Sequence, residues 1–176
     1  ILNNEKEAGT TLFLIDEKVD HGPVISYKSL VISDKDNYES LEEKLAELSA
    51  ELILNTVPKW LAGEIKPEIQ NESEATYTKK FVTEDAEIKI SPISPISSIN
   101  PISPAAQRET WLKIRALNPE PGAFTILELK NNKKLRLKLL EADFLDGKLN
   151  LKKVQPEGKR PMNYKDFLNG YKNLIK

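Results

Sequence analysis

Apolar positions recur along this chain with two periods, and each period predicts a different element. Residues 10–15, Thr-Thr-Leu-Phe-Leu-Ile, form a short and partly β-branched apolar run, which predicts a buried strand. Residues 23–33, rich in Val and Ile, predict a second strand, with Gly22 and Pro23 breaking the loop between the two. Asp36 followed by Glu39 resembles a capping box that opens a helix. Tyr38, Leu41, Leu45, Leu48 and Leu52 then keep helical spacing, so one helix face is expected to pack on a core. Pro58 is expected to interrupt this helix, and Gly63 to end the segment beyond it.

The pattern then loosens. Residues 64–76 are polar and irregular, and residues 90–104 repeat Ser, Pro and Ile in a low-complexity run whose prolines forbid a regular helix. A solvated spacer is the expected role of that run, ahead of a ligand for a proline-reading domain. A helix is expected over 105–117, with Trp111, Ile114 and Leu117 on one side. Three strands are expected over 123–129, 134–142 and 148–154, joined through the hairpin signals Asn131-Asn132 and Asp146-Gly147. In the middle strand Leu135, Leu137 and Leu139 alternate with Arg136 and Lys138, which predicts one apolar and one basic sheet face. Residues 162–174 read as a closing helix. Short antiparallel strands flanked by helices suggest a small barrel of the oligonucleotide-binding kind.

Charge sharpens this division. The chain carries a net charge of −1, but residues 1–72 hold 7 basic and 15 acidic side chains, a balance of −8, and the remainder holds 19 and 12, a balance of +7. Such a split suggests two modules with different partners, the basic one suited to a polyanion. The absence of cysteine excludes disulfides and thiolate metal sites, and makes a reducing cytoplasm the natural compartment. No apolar run approaches the ~20 residues needed to span a bilayer. The first residue is Ile1 and no signal peptide follows, which suggests a cut or incomplete chain.

The loop Asp16-Glu17-Lys18-Val19-Asp20-His21-Gly22-Pro23 concentrates the candidate chemistry. Read from the residues alone, Asp16 and Asp20 are turn carboxylates that accept backbone N–H bonds, and Gly22 permits a tight backbone approach to a ligand. His21, the only histidine, is too little beside two carboxylates to argue a zinc site. No Cys–His pair, Ser–His–Asp triad or glycine-rich phosphate loop is present.

This loop resembles a signature of folate-dependent formyltransferases, Asp-x-x-x-Asp-x-Gly between two strands, matched by Asp16, Asp20 and Gly22 and continued by Pro23-Val24-Ile25. Many members have Thr where His21 stands. Further likenesses point to the methionyl-tRNA formyltransferases. Residues 44–52 are similar to their last catalytic-domain helix. Gln70 with Thr76-Tyr77-Thr78-Lys79-Lys80 resembles their domain junction. Ile114-Arg115-Ala116-Leu117-Asn118-Pro119-Glu120-Pro121-Gly122-Ala123 resembles the start of their C-terminal barrel, with Glu120 in place of the usual Trp. Residues 155–162 and 166–170 resemble their closing signature.

The resemblance implies the end of a Rossmann-like formyltransferase domain over 1–66, a linker with the insertion over 67–104, and an OB-like tRNA-binding domain over 105–176. It implies transfer of a formyl group from 10-formyltetrahydrofolate to the amine of initiator methionyl-tRNA, in a cytoplasmic, monomeric, metal-free enzyme. Asp20 would be the catalytic residue, orienting and charge-tuning the upstream histidine or relaying a proton from the attacking ammonium through water. Asp16, Glu17, Val19, Asp20 and Gly22 would line the folate site, and Lys79, Lys80, Arg115, Lys133, Lys134, Arg136, Lys138, Lys152 and Lys153 would grip the tRNA. The family's catalytic Asn and His have no counterpart in these residues, so the chain alone is expected to be inactive. A formyltransferase for a sugar nucleotide or purine precursor, and a non-catalytic RNA-binding module, are the alternatives.

Overall fold

The buried strand expected over 10–15 forms over 7–13 instead and is only half-buried on one face, with Ile15 exposed beyond it. The computed structural model describes residues 1–89 and 103–175; the Ser-Pro-Ile run over 90–102 lies outside the described residues. Strand β1, Glu7–Phe13, and strand β2, Val24–Val31, form an antiparallel pair in which Ala8 faces Leu30 and Thr10 faces Lys28, with a register shift at Leu12/Phe13. Helix α1, Tyr38–Leu61, lies on this pair. It buries Leu41, Leu52 and Thr56, and Ser49 donates to the Thr10 hydroxyl at 2.8 Å.

Three details of α1 differ from expectation. The capping box is Asn37 with Ser40 (Ser40 N to Asn37 Oδ1 2.9 Å, Asn37 N to Ser40 Oγ 3.1 Å), one residue beyond the expected start. Asp36 is instead buried just outside the helix, accepting from Ser33 N at 2.8 Å and Lys44 Nζ at 2.6 Å. Tyr38 is exposed, because the stripe that packs begins only at Leu41. Pro58 does not break the helix. Its missing N–H forfeits one bond, and the ladder resumes with Ala62 N donating to Pro58 O before Gly63, at φ +76, ends it.

The chain divides into two compact units, one of Glu5–Lys79 and one of Ile1–Asn4 with Lys80–Lys176, and so passes between them twice. Residues 67–79, expected to begin a linker, are held in the first unit: Glu68 and Val24 exchange both backbone hydrogen bonds at 2.8 Å. The connection from 80 to 89 also joins a core, since Ala86 and Ile88 are buried in the second unit and Ile88 N donates to Phe124 O.

In the second unit, strands β3 (Phe124–Glu128), β4 (Lys134–Leu145), β5 (Lys148–Pro156) and β6 (Met162–Asn163) form an antiparallel sheet in that order. Helix α2, Pro104–Leu117, is capped by Ser103 and covers β4 and β5. Alternation in β4 turns Leu137 and Leu139 into a core with Ile114, Leu127, Val154 and Phe167. The sharp β4–β5 turn needs left-handed backbone at Asp146 (φ 50) and Gly147 (φ 73), which the Asp-Gly pair supplies. The expected closing helix is shorter than the pattern suggested. Met162 and Asn163 pair with β5 first, α3 covers only Tyr164–Tyr171, and Ile175 forms a bridge to Leu129 on the edge of β3. Each unit carries one tryptophan: Trp60 half-buried in α1, and Trp111 buried against Phe144, their centroids 5.6 Å apart.

Candidate functional site

The loop between β1 and β2 is closed at its base by Leu14 N donating to Pro23 O at 2.9 Å. Gly22 is buried there so tightly that a Cβ would sit 1.7 Å from the Leu14 carbonyl oxygen. The close approach that glycine permits is thus to the chain's own backbone. Inside the loop Asp16 does what a turn carboxylate does: Oδ1 accepts from Lys18 N at 3.0 Å, and Oδ2 lies 2.6 Å from His21 Nδ1. An ionised carboxylate only accepts, so Nδ1 carries the proton. That hydrogen bond from His21, followed by the one from Lys18 N, lowers the Asp16 pKa below its ordinary value.

Asp20 behaves differently. It sits in left-handed backbone at φ 52, a conformation Asp tolerates better than most residues, and it is exposed. Its carboxylate has no hydrogen-bond partner among the described residues. The turn reading therefore fails for Asp20 while holding for Asp16. The backbone groups of Glu17 and Val19 likewise make no hydrogen bond among the described residues. They leave donors and acceptors open beside the carboxylate.

A distant segment holds this loop. Gln70 Nε2 donates to Asp20 O at 2.9 Å and to Gly22 O at 2.8 Å. Lys18 Nζ pairs with Glu72 at 2.5 Å, which raises the Lys18 pKa and lowers that of Glu72, and His21 Nε2 lies 4.0 Å from the same carboxylate. Neither Gln70 nor Glu72 stood out in the sequence as a partner of the loop. They lie some 50 residues away, and no local pattern joins them to it.

The basic residues of the second unit fall into three environments. Lys133, Lys134 and Lys138 are exposed with no ion pair among the described residues. Lys152 pairs with Asp143, and Lys153 with Glu141 at 3.1 Å, so acidic neighbours on β4 offset both. Two arginines of this unit, Arg136 and Arg115, are packed. Arg136 lies 3.7 Å from the centroid of Phe124, its Nε buried without a partner among the described residues, which takes it out of a simple basic face. Arg115 is buried over Trp111 at 4.3 Å. Lys79 and Lys80 are exposed where the chain passes between the units. Asn118 welds the second unit together: its Nδ2 faces the carbonyls of Ile114, Leu139 and Leu140, and its Oδ1 accepts from Ala123 N.

Residues 1–57, which contain this loop, match the model of the formyl transferase family, so this part of the chain resembles the formyltransferase class. Within that class the chain is similar to the methionyl-tRNA formyltransferases. It is 32% identical to that of Streptococcus thermophilus, over 97% of this chain and 56% of the relative, and 33% identical to that of Lactobacillus gasseri with the same coverage. The chain thus spans a little over half the length of these curated relatives.

Solved structures agree on the fold. The methionyl-tRNA formyltransferase of Clostridium thermocellum matches with a TM-score of 0.56 at 21% identity, over 88% of this chain and 58% of that one. The HypX protein of Aquifex aeolicus in complex with tetrahydrofolic acid matches at 0.60 and 16%, over 97% of this chain and 31% of its own. An N-formyltransferase of Helicobacter canadensis, in complex with folinic acid and dTDP-3-aminofucose, matches at 0.54 and 20%, over 82% of this chain and 47% of its own.

Proposed function

We propose that this chain contributes the aspartate loop and the tRNA-binding domain of a methionyl-tRNA formyltransferase. The observation that carries this reading is likeness to such enzymes at about one residue in three, over 97% of the chain and so in both units. The sheet β3–β6, with bridges from Glu87 and Ile175 on the outer edge of β3, is read as an open barrel of the oligonucleotide-binding kind.

The donor is 10-formyltetrahydrofolate, which supplies an activated formyl carbon. The open backbone groups of Glu17 and Val19 suit the edge of its pterin, which presents both donors and acceptors. Asp20 takes the proton that the methionyl α-amine must lose as its nitrogen bonds to the formyl carbon; the bond from that carbon to the folate N10 breaks, and N10 receives a proton in return as tetrahydrofolate leaves. An exposed carboxylate with no partner of its own is free to accept it. Positioned acid–base help of this kind is worth roughly 10²–10⁴ in rate. Lys133, Lys134 and Lys138 supply phosphate contacts, with Lys79 and Lys80 beside them in role. Lys152 and Lys153 reach phosphate only by leaving their carboxylate partners, and Arg115 and Arg136 serve by holding the domain's shape. The reaction belongs in the cytoplasm, with the protein acting as a monomer and without a metal.

The test assays formyl transfer at the protein's full natural length, offering methionyl-tRNA and an amino-sugar nucleotide as competing acceptors. Asp20→Asn is expected to lower kcat by roughly 10²–10⁴ while leaving tRNA affinity nearly unchanged. Turnover that survives this substitution would remove Asp20 from the chemistry. Preference for the sugar nucleotide would move the protein to the branch represented by the Helicobacter canadensis enzyme.

A further inference from the structure

The geometry points to Gln70 as the positioning residue of Asp20: one side-chain amide, reaching across from another part of the chain, sets the backbone from which the reactive carboxylate projects. This inference rests on the reading of Asp20 as the group that accepts the amine proton. The amide nitrogen of Gln70 has two protons to give and no lone pair to offer. It meets two acceptors, the carbonyls of Asp20 at 2.9 Å and Gly22 at 2.8 Å, which use both protons and fix which end of the amide faces the loop.

Those carbonyls bracket the two peptide units in which the loop is least at ease. On one side Asp20 sits in left-handed backbone, and on the other Gly22 is pressed against the Leu14 carbonyl. A single donor bridging both ends holds the turn closed, and so fixes the direction in which the Asp20 side chain leaves it. No other side chain among the described residues bonds to the backbone of Asp20.

The segment that carries Gln70 is itself anchored on each side. Glu68 exchanges two backbone hydrogen bonds with Val24, and Glu72 pairs with Lys18. Gln70 lies between them, directed at the loop's centre. Loss of the Lys18–Glu72 pair would slacken the strap, whereas changing Gln70 alters the contact to Asp20 itself. Displacement of a reacting group by about 1 Å can cost on the order of 10²-fold in rate.

The experiment compares wild type, Gln70→Glu, Gln70→Asn, Asp20→Asn and the Asp20→Asn/Gln70→Glu double variant at full natural length. Gln70→Glu faces two carbonyl oxygens with carboxylate oxygens, and Gln70→Asn is one methylene too short to bridge both. Each single Gln70 variant is expected to lose on the order of 10²-fold in kcat with KM for both substrates nearly unchanged. The double variant is expected to be no slower than Asp20→Asn alone. A kcat within a few-fold of wild type in both single Gln70 variants overturns the inference. So does a full further loss on top of Asp20→Asn, which would mean that Gln70 acts by some route other than the aspartate.

If the wild-type protein transfers no formyl group to any acceptor, the proposed function fails and the brace is judged separately. Proton–nitrogen correlation spectra with hydrogen exchange on this chain then decide it. Faster exchange and shifted amide signals confined to Asp20, His21 and Gly22 in Gln70→Asn sustain the brace, and unchanged signals there overturn it.

Discussion

Gly22 has no room for a methyl group. With a Cβ placed 1.7 Å from the Leu14 carbonyl oxygen, relief can come only from moving backbone, because nothing flexible lies in the way. Gly22→Ala is expected to destabilise the first unit by about 3 kcal/mol or more, read by urea denaturation. Asp36 makes a second residue-scale prediction. Burial alone would push its carboxyl up, but the hydrogen bonds from Lys44, Ser33 N and Ser40 outweigh that and hold its pKa below the ordinary 3.8. A depressed folded-state pKa means stabilisation that is present above pH 3.8 and is lost as the pH falls below it. Asp36→Ala should cost about 1–3 kcal/mol at neutral pH and erase part of the acid-side slope in melts across that window. What was legible at this scale was local. The glycine, the turn role of Asp16 and the pattern around Asp20 lie within eight residues of sequence. The Gln70 contacts were not legible, because hydrogen bonds across 50 residues leave no trace in spacing.

Elements followed the sequence where their signals were redundant. β4 and β5 have alternation along both strands and an Asp-Gly turn between them, and their cores fell within a few residues of expectation. Gly147→Ala keeps the free space beyond the turn but places a side chain at φ +73, which should cost roughly 1 kcal/mol in a thermal melt. A change appreciably larger than that would mean that the turn sets the strand register as well. Elements departed from expectation where one residue type had two possible roles. Pro58 was a breaker by rule, yet one lost bond near a helix end is easily offset by the packing of Leu52 and Thr56 before it. Residues 162–175 were apolar at helical spacing, but a strand bridge at each end competes for the same backbone groups.

At the scale of the whole molecule, charge is the most legible property and the least precise. The split of −8 and +7 marks two modules, yet it cannot distinguish Lys138, open to solvent, from Lys153, already paired. The structure makes that distinction testable. Replacing Lys133, Lys134 and Lys138 with Gln should flatten the salt dependence of the proposed tRNA binding by about one unit of slope per residue, whereas Lys152→Gln and Lys153→Gln should change it much less. Equal effects across all five would mean that the ion pairs open on binding.

The placement of the indole rings has a practical consequence. Because Trp60 and Trp111 fall one to each unit, the chain carries its own pair of optical reporters. Trp111→Phe leaves emission that follows only the first unit, and Trp60→Phe leaves emission that follows only the second. Fluorescence recorded from the two variants during heating would then show whether the halves come apart together or one after the other, with no dye attached.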